Sequence, residues 1–204
     1  MFELFADSTP NARKISIMLE EINESYDLTL VNLNKGEQFY DEFKKISPFS
    51  KIPVLRHNSK TIFESGAILI YLADLSGEFY GSNQSLTTQW LMAQMGYIGP
   101  MLGQHHQFHY YNPGKSDFGE ERYFKIAETI YKNLDDHLSI NEYLANEYSI
   151  ADIATFPWIA RHPIHDIGLN KYINLLRWYN QISLRPAVLK GYDLFKDGSI
   201  PPPA

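Results

Sequence analysis

The sequence predicts a small α/β domain followed by an all-helical domain, and three observations predict it. Over the first 80 residues, short apolar runs alternate with stretches of helical period. A Gly/Ser/Asn-rich stretch from Gly77 to Ser85 then reads as a linker, and beyond it strand signals nearly vanish. A composition of 44% apolar and 14% aromatic residues over 204 positions supports a substantial core. The change of period sets the division at 1–80 and 86–200.

Phe2 to Ala6 reads as a first strand, and Ile15, Met18, Leu19 and Ile22 then recur at helical spacing. Leu28 to Leu33 is a second strand and Phe39 to Ile46 a short helix. Pro53 to Arg56 and Thr61 to Phe63 form two more strands around the turn His57-Asn58-Ser59-Lys60. A helix beginning near Ser65 carries Ala67, Ile68, Tyr71 and Leu72, so the order is β-α-β-α-β-β-α. Helices are predicted over 86–110, 119–137, 150–161, 171–183 and 186–195. They are broken at Asn112-Pro113-Gly114 and by turn residues between Asn141 and Asn146. Three prolines, Pro201 to Pro203, make a non-helical tail that is expected to be mobile.

A net charge of -6 without a basic cluster argues against a nucleic-acid partner. No apolar run approaches the roughly 20 residues of a membrane span, and Met1 leads into Phe2-Glu3-Leu4-Phe5 without a basic leader, so the expected location is cytoplasmic. Cysteine is absent, which removes disulfides, thiolate metal sites and a protein-borne thiol nucleophile. Thiol chemistry here requires a thiol from outside.

Three motifs carry chemistry. In Ser8-Thr9-Pro10-Asn11, Thr9 as N-cap and Pro10 at the first helical position explain the string as capping. The same geometry also offers hydroxyl, amide and helix N–H groups to an anion such as a thiolate. Pro53, in Ser47-Pro48-Phe49-Ser50-Lys51-Ile52-Pro53, stands where a strand begins. It is either an ordinary trans proline or a cis bend that leaves the Ile52 backbone to pair with a ligand's peptide group. In Phe63-Glu64-Ser65-Gly66-Ala67, Ser65 reads as an N-cap, and Glu64 adds a carboxylate at the helix start. Together they suit a group bearing both ammonium and carboxylate.

At this spacing, T-P-N, K-I-P-V and F-E-S-G resemble the thioredoxin-like N-terminal domain of cytosolic glutathione transferases. The resemblance continues through Tyr148 to Ala154, similar to the family's helix-capping signature with Ser149 and Asp152 as a capping box, and through Leu184-Arg185-Pro186-Ala187. K-G-E-Q-F and G-P-M-L-G-Q-H-H-Q-F are most similar to the bacterial nu class, relatives of the folded domain of a yeast prion-forming nitrogen regulator.

That resemblance implies glutathione as cosubstrate and no metal. It implies the γ-glutamyl head on Glu64 and Ser65, the cysteinyl backbone on Ile52 beside cis Pro53, and the glycine carboxylate near Gln38. It further implies the sulfur at Thr9 and Asn11, with Ser8 a rival for Thr9, and Arg122 reaching in from a second subunit of a homodimer. The implied reaction is glutathione-dependent disulfide reduction, with conjugation to electrophiles or a non-catalytic binding role as alternatives. His105, His106 and His109 form a separate signal. Their spacing can bind zinc, but the base glutamate of the metalloprotease pattern is replaced by His106. Lining a cleft or dimer interface is the reading preferred for them.

Overall fold

The computed structural model describes residues 1–195 and 200–204. Residues 196–199, which fall within the range 86–200 assigned to the helical domain, lie outside the described residues. The chain divides into two compact units, Met1–Tyr80 with Pro186–Ile200, and Gly81–Arg185 with Pro201–Ala204.

In the first unit, strands β1 (Phe2–Ala6), β2 (Tyr26–Leu30), β3 (Val54–His57) and β4 (Lys60–Phe63) form one sheet in the order β2-β1-β3-β4. β1 and β2 are parallel; β1 with β3 and β3 with β4 are antiparallel. A parallel pair requires a crossover, and helix α1 (Pro10–Glu21) supplies it. Helix α2 (Asp41–Lys44) follows β2, and helix α3 (Ser65–Ser76) follows β4. The β3–β4 hairpin closes through Asn58 and Ser59, with Asn58 at φ 54°, a left-handed conformation that asparagine tolerates.

Register sorts the two faces of the sheet. Leu4 lies opposite both Leu28 and Leu55, and Leu4 and Leu55 are fully buried, as are Ile15, Met18, Leu19, Ile68, Leu69 and Leu72 from α1 and α3. Phe5 lies opposite Val54 and clusters on the other side with Val31 and Phe43. Each such side chain contributes roughly 1.5–3 kcal/mol on burial.

Helix α10 (Pro186–Asp193) packs against α1 so closely that a Cβ on Gly191 would lie 2.9 Å from the Ile17 nitrogen. The contact is reinforced by polar side chains of α1. Arg13 Nη1 donates to the Tyr192 carbonyl at 2.9 Å and its guanidinium covers the Tyr192 ring, while Ser16 Oγ donates to the Gly191 carbonyl at 2.8 Å. Consequently every α1 residue from Ala12 to Leu19 is buried, including Arg13 and Lys14.

The second unit is helical. The single helix expected over 86–110 is resolved into α4 (Gln84–Ala93), a π-helical segment Gln94–Ile98, α5 (Gly99–His105) and a second π segment, His106–Tyr111. Pro100 has no N–H for the preceding turn, and the wider π turn directly before α5 accommodates that loss. Helix α6 (Asp117–Leu138) begins at Ser116, whose hydroxyl accepts from Gly119 N at 3.1 Å. Helices α7 (Ile150–Ile159), α8 (His162–His165) and α9 (Ile173–Ser183) complete the unit.

The capping box at the start of α7 is present as read, and Asp152 does more than cap. Its carboxylate accepts from Leu144 N, Ser149 N, Ser149 Oγ and Trp178 Nε1, all between 2.8 and 3.2 Å. Burial pushes this carboxyl up to about 6, opposed by those four donors. The proline tail departs from the mobility expected of it. Pro201 is buried, and the Pro202 carbonyl accepts from Tyr179 Oη at 2.6 Å.

Candidate active site

A cleft of about 130 Å³ opens in the first unit, lined by Asn11, Ser47, Phe49, Lys51, Ile52, Pro53, Phe63, Glu64 and Ser65. It gathers five sequence-predicted residues from three separate stretches: Asn11 at the start of α1, Ile52 and Pro53 before β3, and Glu64 and Ser65 at the start of α3. The Ile52–Pro53 bond is cis, so the trans alternative is excluded. The loop before it is held by Ser47, whose hydroxyl donates to the Lys51 carbonyl at 2.7 Å and accepts from Lys51 N at 2.9 Å. Ile52 precedes β3, which starts at Val54, so its peptide group lies outside the ladder.

At the α3 end, one expectation is corrected. Ser65 is not the N-cap but the first helical residue; the cap is Glu64, at φ 71°, ψ 116°. A left-handed backbone at a residue with a Cβ costs on the order of 1–3 kcal/mol. It turns the chain sharply from β4 into α3, placing an exposed carboxylate beside the helix start. The first intrahelical bond is donated by Ile68 N to the Glu64 carbonyl at 3.0 Å, so the N–H groups before it lack intrahelical acceptors. Ser65 itself is buried.

At the α1 end, Thr9 caps the helix as predicted, its Oγ1 accepting from Ala12 N at 3.3 Å, with Pro10 first in the helix. Capping uses a lone pair of Oγ1 and leaves the hydroxyl proton for another acceptor. Thr9 neighbours the cleft in sequence but is not among its lining residues. Ser8 does not line the cleft either, and its Oγ accepts from Arg13 Nη2 at 2.7 Å. Gln38 sits in a short 3₁₀ turn, Glu37–Phe39, of the same unit, and its Oε1 is buried without a hydrogen-bond partner. Arg122 is exposed on α6 in the second unit, its guanidinium 6.0 Å from the Tyr123 ring centroid.

Sequence reasoning missed Lys14. It is 1% exposed, and its Nζ donates to Ser65 Oγ at 3.4 Å. Burial lowers its pKa to about 7, opposed by the Glu64 carboxylate. A lysine at a polar phase of a helix ordinarily reads as solvated, so nothing local in the sequence marked it.

The histidines occupy a different environment from the one expected of them. His105 and His106 are buried within the helical unit. His105 Nε2 donates to the His165 carbonyl at 2.8 Å, His106 Nε2 lies 2.7 Å from His165 Nε2, and His165 Nδ1 lies 2.6 Å from Tyr131 Oη. Burial lowers His106 to about 3 and holds His165 well below the usual range, so the cluster is neutral. Only His109 reaches outward, 3.7 Å from Asp166. Among the described residues, no group of three or more His, Cys, Asp or Glu is arranged to hold a metal ion. Likewise no described helix is long and apolar enough to cross a membrane.

Residues 2–74 match the glutathione S-transferase N-terminal domain and residues 114–186 its C-terminal domain. The chain is 40% identical over 198 residues to the disulfide-bond oxidoreductase YfcG of Escherichia coli (strain K12), covering 92% of each. It belongs to the glutathione transferase family. Among solved members, a glutathione transferase from Pseudomonas putida with one glutathione disulfide bound per subunit superposes with a TM-score of 0.90 at 37% identity, covering 95% of this chain and 91% of that one. A Burkholderia graminis glutathione transferase with two glutathione molecules per subunit gives 0.89 at 36% identity, covering 97% and 89%. Membership accounts for the thioredoxin-like sheet and the helical second unit; the cleft described above lies wholly within the first.

Proposed function

We propose that this chain is a nu-class-like, glutathione-dependent disulfide-bond reductase of the cytoplasm, in which residues 1–80 bind glutathione and the helical domain follows them. The observation that carries the reading is the single cleft gathering Asn11, Ile52, Pro53, Glu64 and Ser65. Support for the reaction comes from the sequence relationship to a disulfide-bond oxidoreductase and from structural relatives holding glutathione or its disulfide.

In this reading the ammonium of the γ-glutamyl head meets Glu64 and its carboxylate meets Ser65. The cysteinyl peptide group pairs with Ile52 beside Pro53, and the glycine carboxylate approaches Gln38. A free thiol has a pKa of about 8.5, so only about 3% is thiolate at pH 7. Donation from the Thr9 hydroxyl, the Asn11 amide and the α1 N-terminus stabilises the anion and raises that fraction. Ser8 remains a rival for Thr9, since accepting from Arg13 Nη2, like capping at Thr9, occupies only a lone pair of the hydroxyl.

The thiolate attacks one sulfur of a disulfide. The S–S bond breaks, and the departing thiolate takes a proton from solvent. A second glutathione thiolate attacks the glutathione sulfur of the resulting mixed disulfide, giving oxidised glutathione and the second substrate thiol. Both reducing electrons come from glutathione, as a chain with no cysteine requires. Arg122 is assigned to the site of the neighbouring subunit in a homodimer.

The test compares turnover of a small disulfide with turnover of an aryl halide, both with glutathione, in wild type, Thr9→Ala and Thr9→Ser. Disulfide turnover should dominate, fall about 10- to 100-fold in Thr9→Ala and persist in Thr9→Ser. Faster reaction of the aryl halide would assign the chain to conjugation instead. Glutathione binding without either reaction would make it a binding module. A monomer by light scattering would remove Arg122 from the site.

A further inference from the structure

We propose that the first unit carries a second binding site, on the Phe5 face of the sheet, which takes a small organic cation with an apolar body, an arylalkylamine being the type. The site is separate from the cleft at Asn11 and Glu64 and does not depend on the reaction proposed for it.

The sheet builds the floor. Strand alternation puts Glu3 and Phe5 of β1 on one face with Val54 and Arg56 of β3, and Thr29 of β2 lies opposite Phe5. The cover over this face is slight, namely α2, which is four residues long, and the turn Glu37–Phe39 before it. An opening of about 310 Å³ remains, more than twice the volume of the cleft at Asn11. That size suits a small molecule rather than a peptide. Phe5, Val31, Phe43 and Ile46 give it an apolar floor, and the exposed Tyr40 ring stands at its rim.

Charge decides which apolar molecule fits. Arg56 lines the opening, but its Nη1 donates to Glu3 Oε2 at 2.6 Å, and Thr29 Oγ1 donates to Glu3 Oε1 at 2.8 Å, so the guanidinium is neutralised where it stands. Glu42 is neutralised in turn by Lys45, 2.7 Å away. Glu37 is the lining charge that has no ion pair among the described residues. Its Oε2 accepts from Asn32 N at 2.8 Å, which fixes the carboxylate in position and leaves Oε1 for a ligand. An apolar opening with one fixed, uncompensated carboxylate attracts a monocation and repels an anion. An ammonium there gains a charge-assisted hydrogen bond from Glu37 and the attraction of the neighbouring rings, while its apolar body covers the floor.

The experiment titrates the full chain with 2-phenylethylamine, its neutral isostere 2-phenylethanol and the anion 3-phenylpropionate, following backbone amides by nuclear magnetic resonance. The amine should shift the Thr29, Val31 and Ile46 amides saturably, with a dissociation constant of about 1 mM or below. The alcohol should bind at the same amides about tenfold more weakly, and the anion more weakly still. Glu37→Gln, which keeps an acceptor for Asn32 N, should bring the amine to the affinity of the alcohol and leave the alcohol unchanged. Equal affinities of amine and alcohol in wild type, a shift confined to Asn11 and Glu64, or no saturable shift would each overturn the proposal. An amine affinity unchanged in Glu37→Gln would overturn it as well. The wild-type comparison of the three probes decides the matter even if the variant does not fold.

Discussion

Each unit buries a set of polar side chains, and the two sets behave differently. In the helical unit, Asp152 gathers four donors and His105, His106, His165 and Tyr131 bond to one another or to backbone, all away from solvent. In the first unit, the buried polar face of α1 splits. Arg13 and Ser16 are anchored to α10, whereas Lys14 abuts a residue that lines an open cleft. A closed network in low dielectric rigidifies a fold. A buried charge next to an opening is a different case, because it lies within reach of whatever enters the cleft. The difference separates polar groups enclosed by the fold from one set beside an opening, and each of the following measurements can break it.

The largest effect is expected at Asp152. Asp152→Ala strands the Leu144 and Ser149 N–H groups, the Ser149 hydroxyl and the Trp178 indole N–H together, which should cost about 3–5 kcal/mol. Chemical denaturation of wild type and variant measures it. A loss below about 1 kcal/mol would mean the box is dispensable, and the folding side of the comparison would fail.

The histidine cluster should give an intermediate effect through pH. His106 has a folded pKa of about 3 against an unfolded value near 6.5, so the unfolded chain binds more protons between these values. Its contribution is fully present above pH 6.5 and is lost as pH falls toward 3, at about 1.4 kcal/mol per unit. At pH 5 that amounts to about 2 kcal/mol, so His106→Asn should lose about 2 kcal/mol less than wild type between pH 7.5 and pH 5. Identical pH profiles would show that the ring is not held neutral.

Much of this was legible in the sequence, and what was not has a common cause. The strand and helix order, the Thr9 cap and the Ser149–Asp152 box rest on interactions spanning a few residues, where local chemistry speaks directly, whereas the residues alone left Pro53 open between cis and trans and only the family resemblance implied cis. Packing of α10 on α1 links Gly191 to Ile17, and the histidine chain links His106 to His165. Neither pairing has a local signature, so H-H-x-x-H suggested zinc spacing or a cleft lining rather than a closed core. Ser65 was read as a cap because serine favours that position. Glu64 took it by adopting a left-handed backbone that no propensity would assign to glutamate. Lys14 was missed for a related reason, since a lysine beside apolar positions ordinarily extends into water.

The smallest effect on stability, and the sharpest contrast, is expected at Lys14 itself. Its pKa falls from 10.5 unfolded to about 7 folded, so the unfolded chain holds the proton more tightly in that interval. The group therefore lowers stability progressively as pH drops from 10.5 toward 7, with the full penalty present at neutral pH. Lys14→Met removes that penalty with little change of volume, and the unliganded protein should be as stable as wild type or slightly more so at pH 7, by less than about 1 kcal/mol once relaxation is allowed for. Thermal unfolding without glutathione measures this. A destabilisation of about 3 kcal/mol would make Lys14 a member of a closed network like that around Asp152, and the distinction between the two buried sets would disappear. Unchanged stability would set Lys14 apart from the closed network around Asp152, as a buried charge that the empty fold does not require.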